Sequence, residues 1–345
     1  MGGRILARHG GGRSCASIRV PWRRRSSPAR PHAAGRPYTS RSSAGSGHRR
    51  STDAAHPLTS RAHLRADAIA TLEANGDPTP ALDADVLLAH ALGVPKEAIY
   101  AHPEERVPDA LARHFAQLIH RRAGGEPVAY LRGWKEFYGL GFAVDPRVLI
   151  PRPETEVLVD AVRELVRAGG AALVADVGTG SGAIAVALVV REPSVRAIAT
   201  DASEDALAVA RENARAHRVA HRIDLRRGDL LEPIHERVDA VVANLPYLRE
   251  ADAGRLAGER TSLRFEPARA VFAGADGLAL IRRCVSDLPR VLAPGGRALF
   301  ECDPPQAQEV SELLSAALGG PTRIVCDLAG DARVVIAQRS RELSG

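Results

Sequence analysis

Lysine is nearly missing from this chain of 345 residues: Lys96 and Lys135 are the only two, and the other 45 of its 47 basic residues are arginine. With abundant Ala, Gly and Pro, this bias reads as coding from a GC-rich genome and points towards a bacterial source. Acidic residues are absent from the first 52 positions, which hold twelve Arg. The remainder carries 35 basic and 41 acidic residues, so the net +6 of the whole chain belongs to its N-terminal stretch and the rest is net −6. That balance argues against a large nucleic-acid-binding face on the folded part. No run has the length and apolarity of a transmembrane helix. Cys15, Cys284, Cys302 and Cys326 form no CxxC pair and have no His at a metal-ligand interval, which excludes the common zinc modules and leaves thiols expected to be reduced. What remains is 45% hydrophobic and long enough for two domains with a sizeable core.

Residues 1–58, rich in Arg, Ser, Gly and Pro and without apolar period, are expected to be a disordered tail. A transit peptide would share the composition, but Pro21, Pro28, Pro31 and Pro37 interrupt any amphipathic helix. An RNA-contacting arm or an over-called translation start is the favoured reading. Residues 59–125 turn helical. Leu64, Ala68 and Leu72 share one face, Leu82 to Ala91 form a second helix closed by Gly93 and Pro95, and Leu111, Phe115, Leu118 and Ile119 form a third. A helical module in front of a catalytic domain suits substrate recognition. Over 126–150, Val128, Tyr130, Trp134, Phe137, Tyr138, Phe142 and Val144 are spaced by Gly133, Gly139 and Gly141, which predicts a β-hairpin linker. The extended Ile150-Pro151-Arg152-Pro153-Glu154-Thr155-Glu156 then leads into a helix and opens a domain over 151–340.

The buried-strand run Ala172 to Val177 contains Asp176 and ends in Gly178-Thr179-Gly180-Ser181-Gly182 before a helix. Strand, glycine turn and helix make a nucleotide-binding βαβ unit. The D-x-G-x-G-x-G spacing, with an acid two residues ahead of the first glycine, suits the cationic, phosphate-free S-adenosylmethionine better than a dinucleotide. A second strand ends in Asp201, where a carboxylate can accept the ribose hydroxyls, and a third leads to Asp229 and Leu230, suited to the adenine amino group and ring. A fourth, Val238 to Ala243, ends in Asn244-Leu245-Pro246-Tyr247. Ligands of open α/β sheets collect outside the carboxyl ends of the strands, so Asn244 adjoins the methyl donor. The connection 250–276 reads as a substrate lid. A helix over 277–292, strand 297–302, helix 306–318 and strands 322–326 and 333–337 bring the count to seven, the last two an antiparallel pair at one edge.

Asp176 to Gly182 with Asp201 resembles class I S-adenosylmethionine-dependent methyltransferases, and Asn244-Leu245-Pro246-Tyr247 resembles the Asn-Pro-Pro-Tyr motif of enzymes that methylate planar amino groups. Leu82-Asp83-Ala84-Asp85-Val86-Leu87-Leu88-Ala89-His90, the 150–156 junction and Arg264-Phe265-Glu266-Pro267 narrow the resemblance to the peptide chain release factor glutamine methyltransferases, over residues 61–340. The resemblance implies an α/β fold, a seven-stranded Rossmann-like methyltransferase sheet behind a small N-terminal helical domain. It also implies a monomeric bacterial cytoplasmic enzyme whose partner is a release factor, with no membrane and no stable nucleic-acid complex. In such an enzyme the Asn244 side-chain oxygen and the Leu245 carbonyl accept the two N–H bonds of the target glutamine amide while Tyr247 packs on it. Leu245 replaces a proline of the family pattern. The carbonyl survives, Pro246 still biases Leu245 towards extended backbone, and activity is expected to be retained. A nucleic-acid amino-methyltransferase and a non-catalytic S-adenosylmethionine binder are the alternatives.

Overall fold

The computed structural model describes residues 16–17, 59–169, 173–252, 254 and 262–341. The expectation for the 1–58 tail therefore lies outside the described residues, apart from the pair Ala16–Ser17. Two compact units share the described chain. One holds residues 59–151 with those in 251–271, the other 16–17, 152–250 and 272–341.

The first unit is built on helices α1 (Arg61–Ala74), α2 (Pro80–Leu92), α3 (Glu97–Ala101), α4 (Asp109–Ala123) and α5 (Val128–Arg132). Ser60 caps α1 by accepting the His63 N–H at 3.3 Å. Pro80 opens α2, where its missing N–H costs nothing, and left-handed Gly93 closes it. Leu72, Leu87, Leu88, Ile99, Phe115 and Leu118 form the core. The acids of α2 are buried and serve as tethers: Asp83 accepts from Arg122 Nε of α4 at 2.7 Å, and Asp85 from Arg65 Nε of α1 at 2.5 Å and from the Tyr100 hydroxyl. The linker begins differently from expectation, because Val128 and Tyr130 lie on the short helix α5 and not on a strand. The hairpin proper is β1 (Trp134–Phe137) with β2 (Leu140–Ala143). Tyr138 and Gly139 turn it with φ of 55° and 71°, the two-residue geometry that matches strand twist. Of the 250–276 connection, residues 251–271 group with this unit, through Arg264, which donates to the Gly124 carbonyl, and Glu266, which accepts the Ile150 N–H at 3.1 Å.

The second unit carries strands β3 (Leu173–Val177), β4 (Arg196–Asp201), β5 (Ile223–Arg227), β6 (Val238–Ala243), β7 (Leu292–Glu301), β8 (Thr322–Cys326) and β9 (Ala332–Gln338). Their order is β8-β9-β7-β6-β3-β4-β5, parallel except that β9 runs against both β7 and β8. Ala16–Ser17 adds a two-residue parallel ladder outside β8, an eighth strand beyond the seven expected. Helices α6 (Glu156–Gly169), α7 (Ala183–Arg191), α8 (Glu204–Ala216), α9 (Ala279–Val291) and α10 (Ala307–Leu318) complete the unit. Strand β7 starts at Leu292, five residues before the predicted start. Leu292 pairs with Val238 and Arg297 with Ala240, so the Pro-Gly-Gly turn loops out between two ladder positions instead of preceding the strand. Cys284 and Cys302 are free and buried. Among the described residues, no helix is long and apolar enough to cross a membrane and no metal-binding cluster occurs.

Candidate active site

Register alone aligns the predicted site residues. Val177 of β3 pairs with Thr200 of β4 and with Ala243 of β6. The residues that follow, Gly178, Asp201 and Asn244, therefore leave three adjacent strands at one level of the sheet's carboxyl edge.

The glycine loop is held from three sides. The N–H groups of Gly178 and Thr179 both donate to the Thr200 carbonyl at 2.9 Å. Gly180 N–H donates to Asp201 Oδ2 at 3.0 Å. Buried Asn213 of α8, a residue the sequence reading missed, donates to the Ser181 carbonyl at 2.8 Å. Gly178 has φ of 71°, and a Cβ there would sit 3.0 Å from Leu245 Cδ2, so the loop crosses directly over that side chain. Asp176 is fully buried. Its Oδ2 accepts from Thr179 Oγ1 at 2.6 Å and from the Ala185 N–H at 3.1 Å, while Oδ1 has no partner among the described residues. Burial pushes its carboxyl up to about 6, against the pull of those two hydrogen bonds.

Asp201 accepts the Ser203 N–H on Oδ1 at 2.8 Å as well as Gly180 on Oδ2, so both oxygens help to shape the loop. The Asp229 carboxylate is exposed and ion-paired with Arg283 of α9. Leu230 takes a left-handed φ of 48°, and its carbonyl accepts from Thr200 Oγ1 at 2.9 Å.

Asn244 is half-buried and donates Nδ2 to Thr155 Oγ1 at 2.9 Å. Thr155 ends the Pro153–Thr155 turn and is itself hydrogen-bonded to Glu301, the last residue of β7. With Nδ2 committed, Asn244 meets anything outside through Oδ1. Leu245 is 3% exposed, its side chain part of the sheet's core, so only its backbone is available for chemistry. The Tyr247 carbonyl accepts from Gln306 Nε2 at 3.1 Å, and burial pushes the Tyr247 hydroxyl well above its ordinary range. A Cβ on Gly277, φ 77°, would lie 2.1 Å from that same carbonyl, so only glycine fits there.

Thr155, Glu301, Gln306 and Gly277 escaped the sequence reading. Thr155 lay inside a motif already singled out. Glu301 had the same signal as Asp201, an acid at the end of a strand.

The donor set fits S-adenosylmethionine. It offers carboxylates, one with an unsatisfied buried oxygen, and a glycine turn whose Gly180 has nothing within 4 Å of a would-be side chain. The fold and site define a class I S-adenosylmethionine-dependent methyltransferase. Two family models match, the PrmC N-terminal domain over residues 63–133 and the methyltransferase small domain over 153–261. A release factor glutamine methyltransferase of Moorella thermoacetica is 41% identical over 279 residues, 80% of this chain and 97% of that protein. That of Nitratidesulfovibrio vulgaris is 39% identical over 78% of this chain and 92% of its own length. The chain belongs to the release factor glutamine methyltransferase family. Among solved structures, a ribosomal protein L11 methylase from Lactobacillus delbrueckii subsp. bulgaricus is 23% identical with a TM-score of 0.41, covering 57% of this chain and 84% of that one.

Proposed function

We propose that the chain methylates the side-chain amide nitrogen of a protein glutamine, the Gln of the Gly-Gly-Gln motif of a peptide chain release factor. The observation that carries this reading is the Asn244 amide, whose nitrogen is taken by Thr155 at 2.9 Å and whose oxygen is left to accept. An amide nitrogen is a poor nucleophile because its lone pair is delocalised into the carbonyl. Asn244 Oδ1 and the Leu245 carbonyl accept its two N–H bonds, and the Tyr247 ring packs against the amide plane. Held so, the nitrogen presents its lone pair in line, and the two acceptors stabilise the positive charge that grows on it. When bound, S-adenosylmethionine supplies an electrophilic methyl group on a sulfonium. Asp176, the 178–182 loop, Asp201, Asp229, Leu230 and Asn244 are the proposed cofactor contacts. Once methylated, the nitrogen would carry an acidic proton that would leave to water without a strong base, the donor departing as a neutral thioether. The reading places the enzyme in a bacterial cytoplasm, acting as a monomer.

Incubation with labelled S-adenosylmethionine and, separately, release factor, DNA and RNA tests it. Label in the release factor at glutamine is the expected result. Label in nucleic acid would favour the amino-methyltransferase alternative, and cofactor binding with no label anywhere would leave a non-catalytic binder. Asn244→Ala should lower turnover by about 100-fold or more while cofactor affinity stays nearly unchanged.

A further inference from the structure

We infer that Glu301 is a positioning residue that, through the Thr155 hydroxyl, fixes which end of the Asn244 amide faces the acceptor. The inference rests on the amide-methylation reading above. Phe300 pairs with Ala243, so Glu301 and Asn244 leave neighbouring strands β7 and β6 side by side. Glu301 is 2% exposed, is hydrogen-bonded to Thr155, and has no partner for Oε2 among the described residues. Thr155, 4% exposed, in turn accepts from Asn244 Nδ2.

Proton counting gives this relay its direction. A threonine hydroxyl has one proton to give, and an ionised carboxylate can only accept. Once Glu301 takes the Thr155 proton, Thr155 can only accept from Asn244, so Nδ2 must turn inward and Oδ1 outward. The two ends of an amide are nearly the same in shape, so without such direction the group can turn over. A turned Asn244 would set its NH2 against the NH2 of the target, donor against donor. A protonated Glu301 removes the constraint, because it can itself donate to Thr155 and let the hydroxyl donate to Asn244 Oδ1.

The surroundings put that change within reach of neutral pH. Arg152 before Thr155 and Arg333 of β9 favour the carboxylate, while burial and Glu154 oppose it, and the Glu301 carboxyl is pushed up to about 7. The Arg333 guanidinium is drawn away by Asp327 at 2.8 Å. Tyr247 faces the same group from beyond β6, and Cys302 and Asp303 continue its own strand. Turnover should therefore rise as pH increases through about 7, with the protonated form the slow one.

Two readouts test the inference. In the 15N-labelled protein, the Asn244 side-chain amide signals, identified by their loss in Asn244→Ala, should titrate near pH 7 and become pH-independent in Glu301→Gln. In release-factor assays, Glu301→Gln and Thr155→Val should each lower kcat about tenfold with KM almost unchanged, and Thr155→Ser should restore it. Signals that do not titrate, or Glu301→Gln with wild-type kcat and an unchanged pH profile, overturn the inference. So does a loss of kcat that merely follows a loss of folded protein by circular dichroism. If the signals titrate as expected but no release factor is methylated, the relay stands and the substrate reading falls.

Discussion

Buried acids occur in both units of this protein and are treated differently. In the helical unit Asp83 and Asp85 sit on α2 against arginines, Asp83 on Arg122 and Asp85 on Arg65 with Tyr100. Asp77 shares Arg122 at 2.8 Å, so one guanidinium ties the α1–α2 connection, α2 and α4 together. At the sheet edge, Asp176 and Glu301 are more deeply buried, have no arginine in hydrogen-bond contact, and each keeps one oxygen without a partner among the described residues. Burial raises Asp83 too, against the pull of Arg122, but it carries Asp176 to about 6 and Glu301 to about 7. An acid paired on both sides is a structural tie. An acid left half-satisfied carries a desolvation cost that folding alone does not explain, and both such acids lie towards the carboxyl ends of β3 and β7, on either side of β6.

Asp176→Asn separates the two kinds of acid most strongly. Calorimetric titration should show S-adenosylmethionine affinity down about 100-fold, whereas thermal unfolding of the unliganded protein changes little, since a neutral amide replaces an incompletely paired charge. If the melting temperature collapses instead, Asp176 is a tie like Asp83. Arg122→Leu is the converse. It strands Asp83 and Asp77 and should cost about 3 kcal/mol by chemical denaturation, while the S-adenosylmethionine affinity of the folded fraction should stay unchanged.

The pH dependence of stability provides a third test. Asp176 and Glu301 have folded-state values above their ordinary 3.8 and 4.5, so the native state holds protons that the unfolded chain releases. Their contribution is complete below about 4 and is lost as pH rises through 6 and 7. Melting temperature should fall across that window, and Glu301→Gln should flatten its upper part. A rise there would mean that other groups dominate. The smallest effect is expected for Leu245→Pro. The ring locks the backbone ahead of Tyr247 and should raise kcat by about twofold, but it removes a side chain packed under Gly178 and should lower stability by about 1 kcal/mol. An unchanged or lower kcat would contradict the pre-organisation argument.

The sequence by itself determined the elements and most of the chemistry. β-branched runs ending in Asp176, Asp201 and Asn244 can be read as strands whose functional ends coincide, because a parallel sheet places every such end on one edge. The glycine turn is local in the same sense, whereas the acids of α2 are not, since Asp83 and Asp85 meet Arg122 and Arg65, 39 and 20 positions away. The short helix α5, the early start of β7 and the hydrogen bond that Asn244 donates to Thr155 were not legible, because periodicity reports which face of an element is buried and not which distant residue will stand beside it. Asn244 and Thr155 are 89 positions apart and Asn244 and Glu301 are 57 apart. Only the pairing of β7 with β6, and the packing of the Pro153–Thr155 turn against their ends, sets those three side chains together. Which end of one amide faces outward is decided there, since a hydrogen bond's direction depends on which groups are neighbours in space.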